Sequence, residues 1–134
     1  VLGSTATAQE PKRPRLRKAV KYGMIQLPAG MPVTHKAKLD LARRCGFAGV
    51  EIDSPGTANL DDLVAASKET GIVVHGVIDS VHWRDTLSHP DEAVRARGLA
   101  ALNGALEDAH KVGATSVLLV PGVVNKDVSV EQCW

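Results

Sequence analysis

Aromatic residues are scarce in this chain: one Phe, one Tyr and two Trp make up 3% of it. That excludes a base-stacking platform for single-stranded nucleic acid and leaves Val, Leu, Ile and Ala to build the core. Charge of one sign is lacking too. A formal net charge of +1 gives no bulk electrostatic drive toward nucleic acid or a membrane surface, and neither is expected as a partner. No apolar run approaches the length of a transmembrane helix. The two cysteines, Cys45 and Cys133, have no metal or redox spacing, and Cys45 reads as a small buried residue on a helix face. The loop Gln26–Met31 holds a single glycine, which argues against a phosphate cradle and against a small flavodoxin-like nucleotide module.

What is present is an ordinary globular balance, 44% hydrophobic and 23% charged over 134 residues, enough for one domain with a core. Val1–Ala8 is rich in small residues, and Ala6-Thr7-Ala8 fits an export-signal cleavage pattern. Gln9–Lys21 is rich in Lys, Arg and Pro and reads as a solvated linker. The expected organisation is therefore a signal remnant and basic linker over residues 1–20, with an exported or periplasmic location, and a folded unit over residues 21–134; the alternative is a disordered small-residue terminus and a cytoplasmic location.

Within that unit, Tyr22–Gln26 reads as a first strand and Leu27–Pro32 as loop. Thr34 is placed to cap a helix running to about Cys45, with Leu39, Leu41 and Ala42 on its apolar side and Gly46 ending it. Val50–Asp53 is a second strand. Asn59 is expected to cap a helix with Leu60, Leu63 and Val64 at helical spacing, stopped by Gly71. Ile72–Ile78 is a third strand. A long helix is expected to start from Ser88, with Val94, Gly98, Ala101, Leu102, Ala105, Ala109 and Val112 on one face, until Gly113. Ser116–Pro121 is a fourth strand, and Val128–Trp134 approaches another helix.

This β-α-β-α-β-α-β order predicts a parallel α/β sheet with right-handed crossovers, its third and fourth strands apolar enough for burial on both faces. Four units are half of a (β/α)8 TIM barrel, which takes about 250 residues, so the fold expected is the first four βα units of such a barrel. In α/β folds the working end lies beyond the strand C-termini. The stretch Gly71–Trp83 and the residues just after it deliver Asp79, Ser80, His82, Trp83, Arg84 and Asp85 to that end.

Two segments carry a family likeness. Cys45-Gly-Phe-Ala-Gly-Val-Glu-Ile52 resembles the second-strand signature of the sugar phosphate isomerase/epimerase superfamily, the xylose isomerase-like TIM barrels. His89-Pro-Asp-Glu-Ala-Val-Arg95, continuing through Leu106, Ala109 and Gly113–Gly122, resembles its third helix and fourth strand. The resemblance spans about residues 21–134. It implies an enzyme that moves a proton next to the carbonyl of a sugar or sugar-like hydroxy-ketone, with a small carbohydrate as partner and a divalent cation (Mn, Mg, Zn or Co) as cofactor. Such a cation stabilises the enediolate while a positioned carboxylate takes the proton. In the family the metal ligands come from the second half of the barrel. This chain is thus expected to stop before them, to bind no metal alone and to be inactive alone.

From the residues themselves, Glu51 alternates with Val50 and Ile52 and so faces the barrel interior if those two face the helices. It reads either as a polar floor for a substrate or as a structural carboxylate. His75 shares a strand face with Val73 and Val77 and is placed to reach Glu51 across the strands; it reads as core residue or ligand. His82 and Trp83, in the loop, suit a sugar: an indole walls an apolar ring face and an imidazole bonds a hydroxyl. The alternative is a Trp packed on the next helix. These four are the candidate substrate-binding residues, with catalytic residues unassigned. Asp79, Asp85 and His89 match no established metal spacing with His82, and His35 and His110 read as helix-surface residues. Two other functions compete with the enzyme: a noncatalytic sugar-binding or structural barrel, and an endonuclease IV-like AP nuclease, disfavoured because Val120 stands where a second histidine is wanted. Open sheet edges favour self-association into a homo-oligomer or aggregate.

Overall fold

The computed structural model describes residues 16–126 and 128–133; the segment read as an export signal lies outside them. Strand β1 is Ala19–Lys21, followed by a single 3-10 turn at Tyr22–Met24. Then come helix α1 His35–Arg44, β2 Gly49–Ser54, α2 Leu60–Thr70, β3 Val73–Asp79, α3 Glu92–Val112, β4 Ser116–Leu118 and α4 Val130–Cys133. The four strands form one parallel sheet in the order β1-β2-β3-β4. The partial TIM barrel expected from the element order is therefore what the chain forms.

Strand β1 lies earlier than the sequence suggested. Tyr22–Gln26 does not extend it; Ala19 and Val20, inside the segment read as linker, pair with Gly49 and Val50 instead. Helix starts also differ in their chemistry. Thr34 does cap α1, its Oγ1 accepting from the Ala37 amide at 3.1 Å. Asn59 sits at the α2 start in a left-handed conformation with φ 52° and makes no side-chain cap. For α3 the cap is Asp91, whose Oδ1 accepts from the Ala93 amide at 2.8 Å, and not Ser88. Cys45 is exposed because it occupies the C-cap of α1, beyond the buried Ala42.

One face of the sheet carries the core. Val50, Ile52, Val74 and Val77 pack against Leu39 and Ala42 of α1, Leu63 and Ala66 of α2, and Ala105 and Ala109 of α3. Each buried branched side chain contributes about 2 kcal/mol of transfer free energy. Alternation along the strands sends Lys21, Glu51, Asp53, Gly76, Ile78 and Leu118 to the opposite face. That face is buried only in part, less than the apolar runs suggested: Gly76 and Ile78 are buried, whereas Val73 is 45% and Leu118 52% exposed.

The β2–β3 register holds a bulge. Val50 pairs with Val74, but Glu51 pairs with Gly76, leaving His75 as the extra residue. His75 therefore does not stand across from Glu51, and Val73 and Val77 fall on opposite faces, 45% and 1% exposed. The bulged carbonyl of His75 is held by the Thr115 amide at 3.2 Å and by the hydroxyls of Thr115 and Ser116, each at 3.4 Å.

Candidate functional site

The strand C-termini end in two concavities. The first, of about 700 Å³, lies between the loops after β1 and β2 and is lined by Tyr22, His35, Asp53, Thr57 and Asp62 among others. Tyr22 follows β1 directly, and His35 opens α1 behind the Thr34 cap. Their contact is a 2.7 Å hydrogen bond between Tyr22 Oη and His35 Nδ1, and His35 Nε2 lies 3.0 Å from the Ala58 carbonyl. A carbonyl only accepts, so in the neutral ring Nε2 carries the proton and Nδ1 receives the phenol. Half-burial of Tyr22 pushes its phenol pKa above 10.0. His35 thereby ties the β1 loop to the β2 loop, although its position at the start of α1 had suggested only a surface residue. The signal available was positional: the rule that brought the β3 loop forward applies equally to the loop after β1.

On the open face beside this concavity, Lys21 Nζ and Asp53 Oδ1 form an ion pair at 2.9 Å. Glu51 is half-buried, one residue inward, between Lys21 and Gly76 in register. Its carboxylate makes no hydrogen bond or ion pair to the described residues. His75 lies toward the strand N-termini near Gly49, on the rim opposite the loops.

The second concavity, about 270 Å³, opens between the β3–α3 loop and the segment after β4. Trp83 lines it and is 66% exposed, so it does not pack against α3. His82 is only 2% exposed. Its Nδ1 accepts from the Val120 amide at 3.3 Å, and its ring meets the Trp83 indole edge-on at 5.2 Å between centroids. The imidazole thus stitches the two loops together beneath the indole.

Asp85 is the anchor of this loop. Its carboxylate is 5% exposed and takes Arg84 on Oδ2, with Nε at 2.9 Å and Nη2 at 2.7 Å, and Arg97 Nε on Oδ1 at 3.1 Å. The Arg84 hydrogen bond is the largest influence holding the Asp85 pKa below 3.8; burial opposes it, and Arg97 adds to the lowering. Asp79, also buried, accepts from the Val81 amide through Oδ1 at 3.4 Å, while its Oδ2 has no partner. His89 accepts from the Asp91 amide, and His110 is exposed.

These placements bear on metal binding. Among the described residues no group of three or more His, Cys, Asp or Glu side chains could hold an ion. Asp85 is committed to two arginines and Asp53 to Lys21, so the described residues do not compose a divalent-cation site. Among them, too, no helix is long and apolar enough to cross a membrane.

Comparison with known proteins agrees with this architecture. The model of the family described as xylose isomerase-like TIM barrel matches residues 39–134. L-ribulose-5-phosphate 3-epimerase UlaE from Salmonella paratyphi B is 35% identical over 117 residues, covering 78% of this chain and 40% of that protein. The chain thus spans about two fifths of the length of the curated relatives it matches. Among solved structures, 3-keto-D-glucoside 4-epimerase YcjR from E. coli superposes with a TM-score of 0.62 at 22% identity, over 88% of this chain and 46% of that one. A family 2 AP endonuclease from Brucella melitensis gives 0.63 at 16% identity, over 87% and 45%. At these identities the two structures speak to the fold.

Proposed function

Given that the chain belongs to the xylose isomerase-like TIM barrel family, we propose that it serves an isomerase or epimerase of a sugar or sugar-like hydroxy-ketone. The observation that carries this is the family match over residues 39–134 together with 35% identity to a ribulose-phosphate 3-epimerase. Carbon 3 of a ribulose lies next to its ketone, so its inversion begins with loss of a proton made acidic by that carbonyl. A protein doing this needs a carboxylate at the reacting carbon and donors at the developing oxyanion.

In this reading Glu51 forms the polar floor and Trp83 the wall against an apolar ring face, with His82 setting the indole from beneath. His75 stays at the far rim of the same face. A divalent cation would supply electrophilic stabilisation of the oxyanion; the described residues do not provide its ligands, and none of these three roles depends on it.

A second reading is a noncatalytic sugar-binding barrel. It is favoured by one observation: of the carboxylates among the described residues on the open face, Asp53 is paired with Lys21, and these residues offer Glu51 no second free carboxylate to act as acid and base. The test is incubation of the gene product in D2O with ketopentoses and ketohexoses, with and without Mn, Mg, Zn or Co, followed by NMR. Deuterium appearing next to the carbonyl supports the isomerase or epimerase. Sugar binding with no exchange under any metal supports the second reading and overturns the first.

A further inference from the structure

Three features of the β3–α3 loop converge on one cleft wall. The Trp83 indole is exposed there, yet it is held from below by the buried His82 ring. Arg84, 77% exposed at its side chain, lines the same cleft and is fixed by the nearly buried Asp85, which uses Arg84 Nε and Nη2. Asp85 is itself locked by Arg97 on α3 and by the backbone of Gly98, where a Cβ would overlap the Asp85 carbonyl. Buried groups are thus spent on presenting an indole and a guanidinium to solvent side by side. That is preorganisation for a ligand, since exposed side chains left free would lose rotamer entropy on binding.

The chemistry of the wall narrows the ligand. An indole face takes the apolar face of a sugar ring. None of the described residues lining the cleft is acidic; Arg84 and His89 are its ionisable members, and Val123 and Val128 close the other side. With Nε–H and one Nη2–H held by Asp85, Arg84 keeps the end-on edge of its guanidinium, the Nη1 hydrogens and the second Nη2 hydrogen, to offer to the oxygens of an anionic group. The cleft volume of about 270 Å³ is enough for one ring and its substituent. It opens in the loops, outside the strand ends that carry Glu51.

We propose that the Trp83–Arg84 cleft is a subsite for a sugar ring bearing an anionic group, a carboxylate or a phosphate, with Trp83 stacking on the ring, Arg84 receiving the anion and Asp85 acting as the positioning residue for Arg84. The proposal rests on the sugar-enzyme reading for its choice of ligand class, but its test does not depend on turnover.

The experiment uses the full chain carrying Trp134→Phe, so that fluorescence reports Trp83 alone. It is titrated at low ionic strength with D-glucuronate, D-glucose 6-phosphate and neutral D-glucose. The expected result is a saturable change with at least one anionic sugar, at least tenfold tighter than with D-glucose and weakened by added salt; which anion binds tighter identifies the group. Arg84→Gln is expected to reduce binding of the anionic sugar to the level of D-glucose. Asp85→Asn, checked by circular dichroism to be folded, is expected to weaken the anionic sugar several-fold while leaving D-glucose unchanged, a selectivity that general loosening of the loop would not give. No saturable change with any of the three sugars, equal affinity for all three, or full anionic-sugar binding by Arg84→Gln would overturn it. Deuterium exchange without Trp83 binding leaves the enzyme reading standing and the subsite wrong, whereas binding without exchange does the reverse.

Discussion

Gly98 on α3 lies against the main chain of Asp85 so closely that any Cβ at position 98 would overlap the Asp85 carbonyl oxygen. The contact is backbone on backbone, so no flexible side-chain end can move aside. It seats the β3–α3 loop on the helix that follows it.

Gly98→Ala should therefore destabilise the chain even though alanine is the better helix former. Overpacking costs about 1–3 kcal/mol, against a helix-propensity gain of about 1 kcal/mol. Gly104, on the same helix, has nothing within 4 Å of the added Cβ, and Gly104→Ala should stabilise by up to about 1 kcal/mol. Urea melts of the two variants are expected to shift in opposite directions.

The Asp85 clamp makes a pH prediction. Its carboxyl pKa is held below 3.8 in the folded chain, first by Arg84 and then by Arg97. A depressed acid contributes stability above the unfolded value, and that contribution is lost as pH falls through the folded value. Asp85→Asn should be less stable than the parent at pH 7, and the gap should close as pH drops below 3.8. A gap that stays constant from about pH 7 to about pH 2 would assign the effect to packing instead.

The Tyr22–His35 bond should be visible in the loops it joins. Tyr22→Phe removes the phenol from His35 Nδ1 and is expected to cost about 1 kcal/mol. His35→Ala releases the Ala58 carbonyl as well, so amide hydrogen exchange should accelerate around Thr57–Asn59 while the core strand amides of β2 and β3 stay protected.

The open sheet face presents Val73 and Leu118 to solvent, and exposed apolar strand surface drives association. Sedimentation velocity on these 134 residues is expected to show concentration-dependent self-association, reduced by Val73→Lys with Leu118→Lys. A monodisperse monomer across the concentration range would remove the expectation of a homo-oligomer.

Sequence and structure agree where the cause is local. Gly71 and Gly113 end their helices at φ 73°, as a glycine past the last turn is expected to do. Thr34 caps α1 through a residue three positions on. The apolar face of α3 is legible from spacing, and Val94, Gly98, Ala105 and Ala109 are its buried members. The helix starts at Asn59 and Asp91 differ for local reasons, but the placement of β1 was decided by a distant partner. Ala19 and Val20 look like linker in sequence and become a strand because Gly49 and Val50 lie beside them.

The candidate site divides the same way. Position fixed that Trp83, Arg84 and Asp85 follow β3, since a parallel strand must deliver the next residues to its C-terminal end. That His82 turns under Trp83 to meet Val120, that Asp85 gathers arginines from both the loop and α3, and that a bulge parts His75 from Glu51 were settled only by tertiary contacts. Side-chain period and helix-end chemistry are properties of a few consecutive residues, so the sequence by itself determined the order of elements and the buried faces of α1, α2, α3 and β2, but not that of β3, where the bulge at His75 breaks the alternation. Cross-loop hydrogen bonds and the Arg97–Asp85 ion pair depend on groups 12 to 54 positions apart, and these form only once the sheet has brought them together; Arg84–Asp85, between neighbours in sequence, is the local exception.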